Sequence, residues 1–117
     1  MFDRRGETIS RDALGEFEHH VLLVLVRLGG RGYSAPIVLE MEEQTGRAVS
    51  PAAVFVALRR LEQRGYLKSA KEEAKPGEGG RGRRMFEVTP VAMEKLRESR
   101  ETFERLWGDL DPLGERS

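Results

Sequence analysis

The chain has 117 residues, with 20 lysines and arginines against 20 aspartates and glutamates, so its formal net charge is +0. That length suits one domain with a small core, and a fold of this size gains stability by associating with a second copy. A hydrophobic share of 38% beside 34% charged residues excludes a disordered polyelectrolyte, a uniformly basic nucleic-acid coat and a polyacidic tail protein.

The cysteine count of 0 excludes a disulfide framework, a thiolate zinc site and a cysteine nucleophile. The opening MFDRRGETISRD lacks the apolar centre of a signal peptide. The longest apolar run, Val21 to Val26, falls far short of the about 20 residues that span a bilayer. A cytoplasmic location is expected, with no membrane partner.

Residues 1–13 are polar and mixed in charge, and read as a flexible N-terminal arm. From Leu14 the pattern becomes helical, with Leu14, Phe17, Val21, Leu25 and Leu28 on one stripe. Leu22, Val24 and Val26 widen that stripe, so the first helix is expected to be central, stopping at Gly29-Gly30. Ser34 is placed to cap a second helix, with Pro36 in its first turn. Ile37, Val38 and Met41 form its inner face, and Thr45-Gly46 ends it. Ser50-Pro51 is a stronger start signal, a capping hydroxyl before proline at the first helical position. Val54, Leu58 and Leu61 follow at helical spacing, and Gly65 closes this third helix.

Beyond Gly65 the period shortens. Tyr66–Ala70 and Met85–Thr89 read as strands around a Gly-rich, charged loop, which makes a hairpin. Thr89-Pro90 repeats the cap-plus-proline signal and opens a fourth helix over 90–110, leaving 111–117 as a flexible tail. The predicted fold is mainly α with a small β-hairpin, a winged helix-turn-helix over 14–89 followed by a C-terminal dimerisation helix.

Charge by segment says more than the total. Residues 1–50 carry 6 basic and 8 acidic side chains (net −2), residues 51–90 carry 9 and 5 (net +4), and residues 91–117 carry 5 and 7 (net −2). The surplus falls on the third helix and the hairpin, the elements that a winged helix presents to DNA. On a helical wheel, Val54, Phe55, Leu58, Leu61 and Glu62 share the inner half of the third helix. Ala52, Ala53, Val56, Arg59, Arg60 and Gln63 share the outer half. Small residues let a helix lie close to a groove floor, Val56 suits a thymine methyl, and Gln63 or an arginine reaches a base edge or phosphate. The same face also fits an ordinary solvated surface, with Arg59 and Arg60 paired to Glu62 or other acids.

The hairpin tip holds Lys75, Arg81, Arg83 and Arg84 among Gly77, Gly79, Gly80 and Gly82. Glycines allow a close backbone approach to phosphates, and arginines enter a narrow minor groove. A plain surface loop is the alternative. No G-K-[ST] follows the glycines, so this is not a nucleotide-binding loop.

On the fourth helix Leu96, Phe103 and Leu110 are spaced by seven. Ala92, Ser99 and Leu106 interleave, and Met93 and Trp107 flank the seam. This approximates a heptad stripe and points to a homodimer, with Glu101–Arg105 supporting the helix at i,i+4. The other reading is that the stripe covers the domain's own core. Trp107 fits interface packing, or a small aromatic effector bound between subunits. His19 and His20 are adjacent on the first helix, project about 100° apart and cannot form an i,i+4 ligand pair; one is expected exposed and one partly packed. No nucleophile–base pairing occurs, and neither an enzyme, a metal nor a cofactor is implied.

The segments LGEFEHHVLLVLVRLG, GYSAPIVLEMEEQTGRAVSPAAVFVALRRLEQRGYL and GGRGRRMFEVTPVAMEKL resemble the PadR family of bacterial transcriptional regulators. The most specific pieces are Leu58-x-x-Leu61-Glu62-x-x-Gly65 and Gly82-Arg83-Arg84…Thr89-Pro90, in that order and spacing. The resemblance runs from about Leu14 to Leu96 and implies a homodimeric winged-helix repressor on an inverted-repeat operator, with one C-terminal helix per subunit. By position, Ser50, Ala53 and Val56 would lie on the recognition helix, and Arg83 and Arg84 on the wing. Ser34, at the head of the second helix, is grouped with the DNA-contacting residues. The chain departs from the family where Phe55 and Phe86 stand in place of usual aromatic hydroxyls, and where Val56 and Ala57 replace small hydroxyl residues. A protein-interaction adaptor, favoured by the apolar Val56, and an aromatic-ligand sensor built on Trp107 are the competing readings.

Overall fold

The third helix is the element around which the others are arranged. A computed structural model describes residues 14–73 and 82–110. The elements run α1 (Glu16–Arg27), β1 (Arg31–Gly32), α2 (Ser34–Thr45), α3 (Pro51–Gln63), β2 (Leu67–Glu72), β3 (Arg83–Val88) and α4 (Pro90–Trp107). Val21, Leu22, Val24 and Leu25 of α1 are buried against Ile37, Val38 and Met41 of α2 and Val54, Ala57, Leu58 and Leu61 of α3. Leu67 and Phe86 close that core from the sheet, and Ala92 and Leu96 from α4. Fully burying one aliphatic side chain contributes about 1.5–3 kcal/mol, so this single cluster carries most of the fold's stability.

The caps show how the helices start where they do. Ser50 accepts a hydrogen bond from Ala53 N at 3.1 Å, and Pro51 follows in the first turn of α3. Thr89 repeats the arrangement on α4, accepting from Ala92 N at 3.3 Å. Ser34 does not cap α2. It is the first helical residue, the preceding position is Tyr33, and no side chain caps that end. Gly46, at φ 72°, ends α2 in the left-handed conformation.

Three strands form the sheet, in the order β1-β3-β2 and antiparallel throughout. The hairpin register pairs Leu67 with Val88, Ser69 with Phe86 and Glu72 with Arg83. Both hairpin strands extend further toward the tip than their periodicity indicates, and β3 ends one residue earlier, at Val88. The two-residue β1 was not anticipated; it pairs Arg31 with Glu87 and Gly32 with Phe86. Gly65, at φ 86°, turns the chain from α3 into β2, a backbone conformation that costs a side-chain-bearing residue energy. Its carbonyl accepts the Thr89 hydroxyl at 2.8 Å, so one threonine both caps α4 and closes the base of the hairpin.

Three helical assignments need adjusting. α1 begins at Glu16 rather than Leu14, and Phe17 and Leu28 lie at the exposed edge of its stripe. On α3, Ala57 is buried, whereas Phe55, placed inward by the wheel, is 42% exposed. The buried sector of α3 is thus rotated toward Ala57 relative to the wheel. α4 ends at Trp107, short of residue 110. The arm over 1–13 and the tail over 111–117 lie outside the described residues.

Candidate nucleic-acid interface

The outer face of α3 is solvent-facing along its length. Ala52, Ala53, Val56, Arg59, Arg60 and Gln63 are all exposed, while the opposite face is buried. Val56 stands out half-exposed with no apolar cover. The α3 arginines are held from the side. Arg60 lies 4.0 Å and Arg64 3.5 Å from the carboxylate of Glu18 on α1, and Arg59 lies 3.7 Å from Glu62. Arg59 also sits 6.0 Å from the Phe55 ring centroid, and Arg64 5.4 Å from that of Tyr66. The acid pairing anticipated for Arg59 and Arg60 is therefore present. The pair of Arg60 with Glu18, at 4.0 Å and with the arginine 66% exposed, is the loosest of these, so a phosphate oxygen can compete for Arg60.

The wing adds two arginines with different surroundings. Arg83 is exposed, with its guanidinium 4.2 Å from the centroid of the Tyr33 ring. The Tyr33 hydroxyl donates to Glu72 Oε1 at 2.5 Å. That hydrogen bond to a carboxylate, reinforced by burial, raises the Tyr33 pKa above its ordinary value and keeps the phenol protonated. Arg84 is half-buried and donates to Ser69 Oγ at 2.9 Å. Lys75 and Arg81 lie outside the described residues. Ser50 is exposed at the head of α3, and Ser34 is half-buried in the first turn of α2.

The two phenylalanines at the departure positions pack together. Phe86 is fully buried and meets Phe55 edge to face, with centroids 6.2 Å apart. A phenol at position 86 would bring a hydroxyl into this core, where it would need a partner; phenylalanine removes that need.

α4 presents a different surface. Ala92 and Leu96 are buried in the domain's own core, Ser99 is half-buried, and Met93, Phe103, Leu106, Trp107 and Leu110 are exposed. Charges on its flanks pair locally, Arg97 with Glu94 at 2.8 Å and Arg100 with Glu104 at 3.0 Å. Arg105 turns to Thr102 rather than to Glu101. Between α1 and α4 lies an open groove of about 870 Å³, lined by Leu14, Leu23, Phe103, His19, His20 and their neighbours. His19 is half-buried there. Burial first, and the charge of His20 second, lower its pKa below 6.5. His20 is exposed, 4.0 Å from Glu16. Among the described residues no group of three or more acidic, histidine or cysteine side chains is arranged to hold a metal, and no helix is long and apolar enough to cross a membrane.

Comparison with known families matches residues 21–98 to the transcriptional regulator PadR-like family. The chain belongs to that family. Solved structures agree with this membership at the level of the fold. A PadR family transcriptional regulator from Eggerthella lenta superposes with a TM-score of 0.65 at 22% identity, covering 99% of this chain and 97% of that one. A PadR-like transcription factor from Bacteroides fragilis gives a TM-score of 0.67 at 19% identity over 87% and 91% of the two chains. F93 from STIV, a winged-helix DNA-binding protein, gives 0.64 at 19% identity over 86% and 100%. No curated protein matches the sequence. This PadR-like chain thus has the winged helix-turn-helix fold and belongs to a family of transcriptional regulators rather than of enzymes.

Sequence reasoning overlooked Tyr33, Ser69 and Glu72. Each is a polar residue on or beside a strand. Only the pairing of strands far apart in the chain brings Tyr33 to Glu72 and Ser69 to Arg84.

Proposed function

We propose that this PadR-like protein acts in the cytoplasm as a homodimeric repressor that binds an inverted-repeat operator. The observation that carries the reading is the outer face of α3. It is exposed, narrow at its start through Ala52 and Ala53, and basic further on through Arg59 and Arg60. Two such helices would enter successive major grooves about 34–36 Å apart on one side of the duplex. Val56 and Gln63 would meet base edges, Ser34, Ser50 and the α3 arginines the backbone, and Arg83 of the wing the flanking phosphates or minor groove. Lys75 and Arg81, which lie between β2 and β3 in the sequence, would add to the basic charge.

Dimerisation would use the exposed part of the α4 stripe, with Met93, Phe103, Leu106 and Trp107, and Leu110 just beyond the helix end, meeting their counterparts. An apolar row of this extent at helical spacing is unusual on a monomer's surface. A second reading concerns regulation. Trp107 is half-exposed at the end of α4, where it can stack on a small aromatic effector between subunits. Quenching of Trp107 fluorescence by aromatic compounds, abolished in Trp107→Leu, would support that role.

The function is tested by titrating promoter fragments selected from the source genome at rising salt. The logarithm of the affinity is expected to fall linearly with the logarithm of salt, with a slope of about −0.9 per phosphate contacted. A flat response, or equal affinity for random duplex, would sink the reading.

A further inference from the structure

Arg83 and Arg84 are neighbours in the wing but point to opposite faces of β3, since side chains alternate along a strand. Arg83 lies over Tyr33. Arg84 shares the face of Phe86, which packs against α3. On β2, Ser69 is the register partner of Phe86 and so lies on this face too.

These residues form a continuous polar line from the wing to α3. Arg84 Nη1 donates to Ser69 Oγ at 2.9 Å, and Ser69 Oγ donates to Glu62 Oε2 at 2.8 Å. The arginine occupies a lone pair of the hydroxyl, which leaves the hydroxyl proton directed at the carboxylate. The other carboxylate oxygen, Glu62 Oε1, is buried without a hydrogen bond and faces Arg59 Nη1 at 3.7 Å. Arg59 stands one turn earlier on the exposed face of α3.

We propose that Arg84 is a positioning residue: acting through Ser69, it fixes the Glu62 carboxylate, which holds Arg59 in place on the outer face of α3. The wing and the recognition helix then present their cations, Arg83 and Arg59, as one rigid unit. This proposal rests on the DNA-binding reading above and assigns Arg84 a role inside the protein in place of a phosphate contact. Three observations support it. The Arg84 guanidinium is half-buried and already engaged. Glu62 is an acidic residue at the junction of helix and wing, where it would repel DNA if it were not tied to two cations. The hydroxyl of Ser69, on β2, is hydrogen-bonded both to Arg84 of β3 and to Glu62 of α3.

The test is a double-mutant cycle on operator affinity, with all variants checked by circular dichroism to be folded at the assay temperature. Arg84→Met and Ser69→Ala are each expected to weaken specific binding by about three- to tenfold, and the double variant no more than the stronger single change. Their salt slopes should equal that of the unmodified protein. Ser69→Thr, which keeps the hydroxyl, should restore binding. In an Arg59→Gln background, Ser69→Ala should have no further effect on affinity, a result that general loosening of the fold would not produce. The proposal is overturned if Ser69→Ala binds normally, if the two effects multiply, or if Arg84→Met makes the salt slope shallower by about 0.9, the mark of a lost phosphate contact. Should Arg84→Met fail to fold, the Ser69→Ala and Ser69→Thr pair decides the matter. If the unmodified protein shows no operator preference, the DNA reading itself fails, which is a different outcome from any of these.

Discussion

The two halves of α4 carry the same heptad spacing and have opposite environments. Ala92 and Leu96, in the first half, are buried in the domain's core cluster. Phe103, Leu106 and Trp107, in the second, are each at least half-exposed. Covering the domain's own core therefore accounts for the first turns of the stripe only, and the exposed turns are the part that the proposed dimer concerns. A periodic apolar pattern identifies a face to be buried; how far the rest of the domain extends along the helix decides what buries it.

Leu96→Asp should break this division most severely. It places a carboxylate in the core without a partner, at a cost of about 3 kcal/mol or more, a large share of a small domain's stability. Loss of the cooperative thermal transition, followed by circular dichroism, is the expected result; a melting point within a few degrees of the unmodified protein would contradict the core role of the first half. Phe103→Glu should act on the second half alone. The expected product is a folded monomer by sedimentation velocity, with operator affinity at least about tenfold lower because the second half-site is no longer bound intramolecularly. A protein that stays dimeric would show that the exposed stripe is not the interface.

The smallest expected effect comes from the groove at the boundary between the two halves. His19 lies there with Lys95 and Glu98 of α4 close by, and its folded pKa is lowered below 6.5 by burial and by His20. A neutral His19 suits the fold, so its contribution is complete above the unfolded value and is lost as pH falls through the lower folded value. The urea midpoint should therefore decline as the pH is lowered through and below the ordinary histidine range, and His19→Gln should flatten that decline. An unchanged pH profile in His19→Gln would place the sensitivity elsewhere.

The caps at Ser50 and Thr89, the glycine stops and the inner faces of the helices were legible because each depends on residues within one or two turns of each other. The same holds for the exposed positions of α3, apart from Phe55. Its exposure reflects a rotation of α3 that is set by the tertiary packing of the helix and not by its own periodicity. β1 left no trace because two residues, Arg31 and Gly32, show no alternation. The Tyr33 and Ser69 interactions were invisible for another reason. They join residues 7 to 50 positions apart, and polar side chains on strands give no periodic sign of which partner they will meet.

The central place of β3 has a consequence for how such a protein can diversify. Its two edges are both occupied, by β1 on one side and β2 on the other, and Val88 N donates to Gly30 O at 2.9 Å where it leaves the sheet. The segment 74–81 is thus spliced between strand ends whose register is fixed by pairs reaching from Leu67–Val88 to Glu72–Arg83. Its length and charge can drift without displacing Phe86 from the core. Changes in this segment are insulated from changes that decide whether the chain folds, so its sequence can vary at little risk to the scaffold.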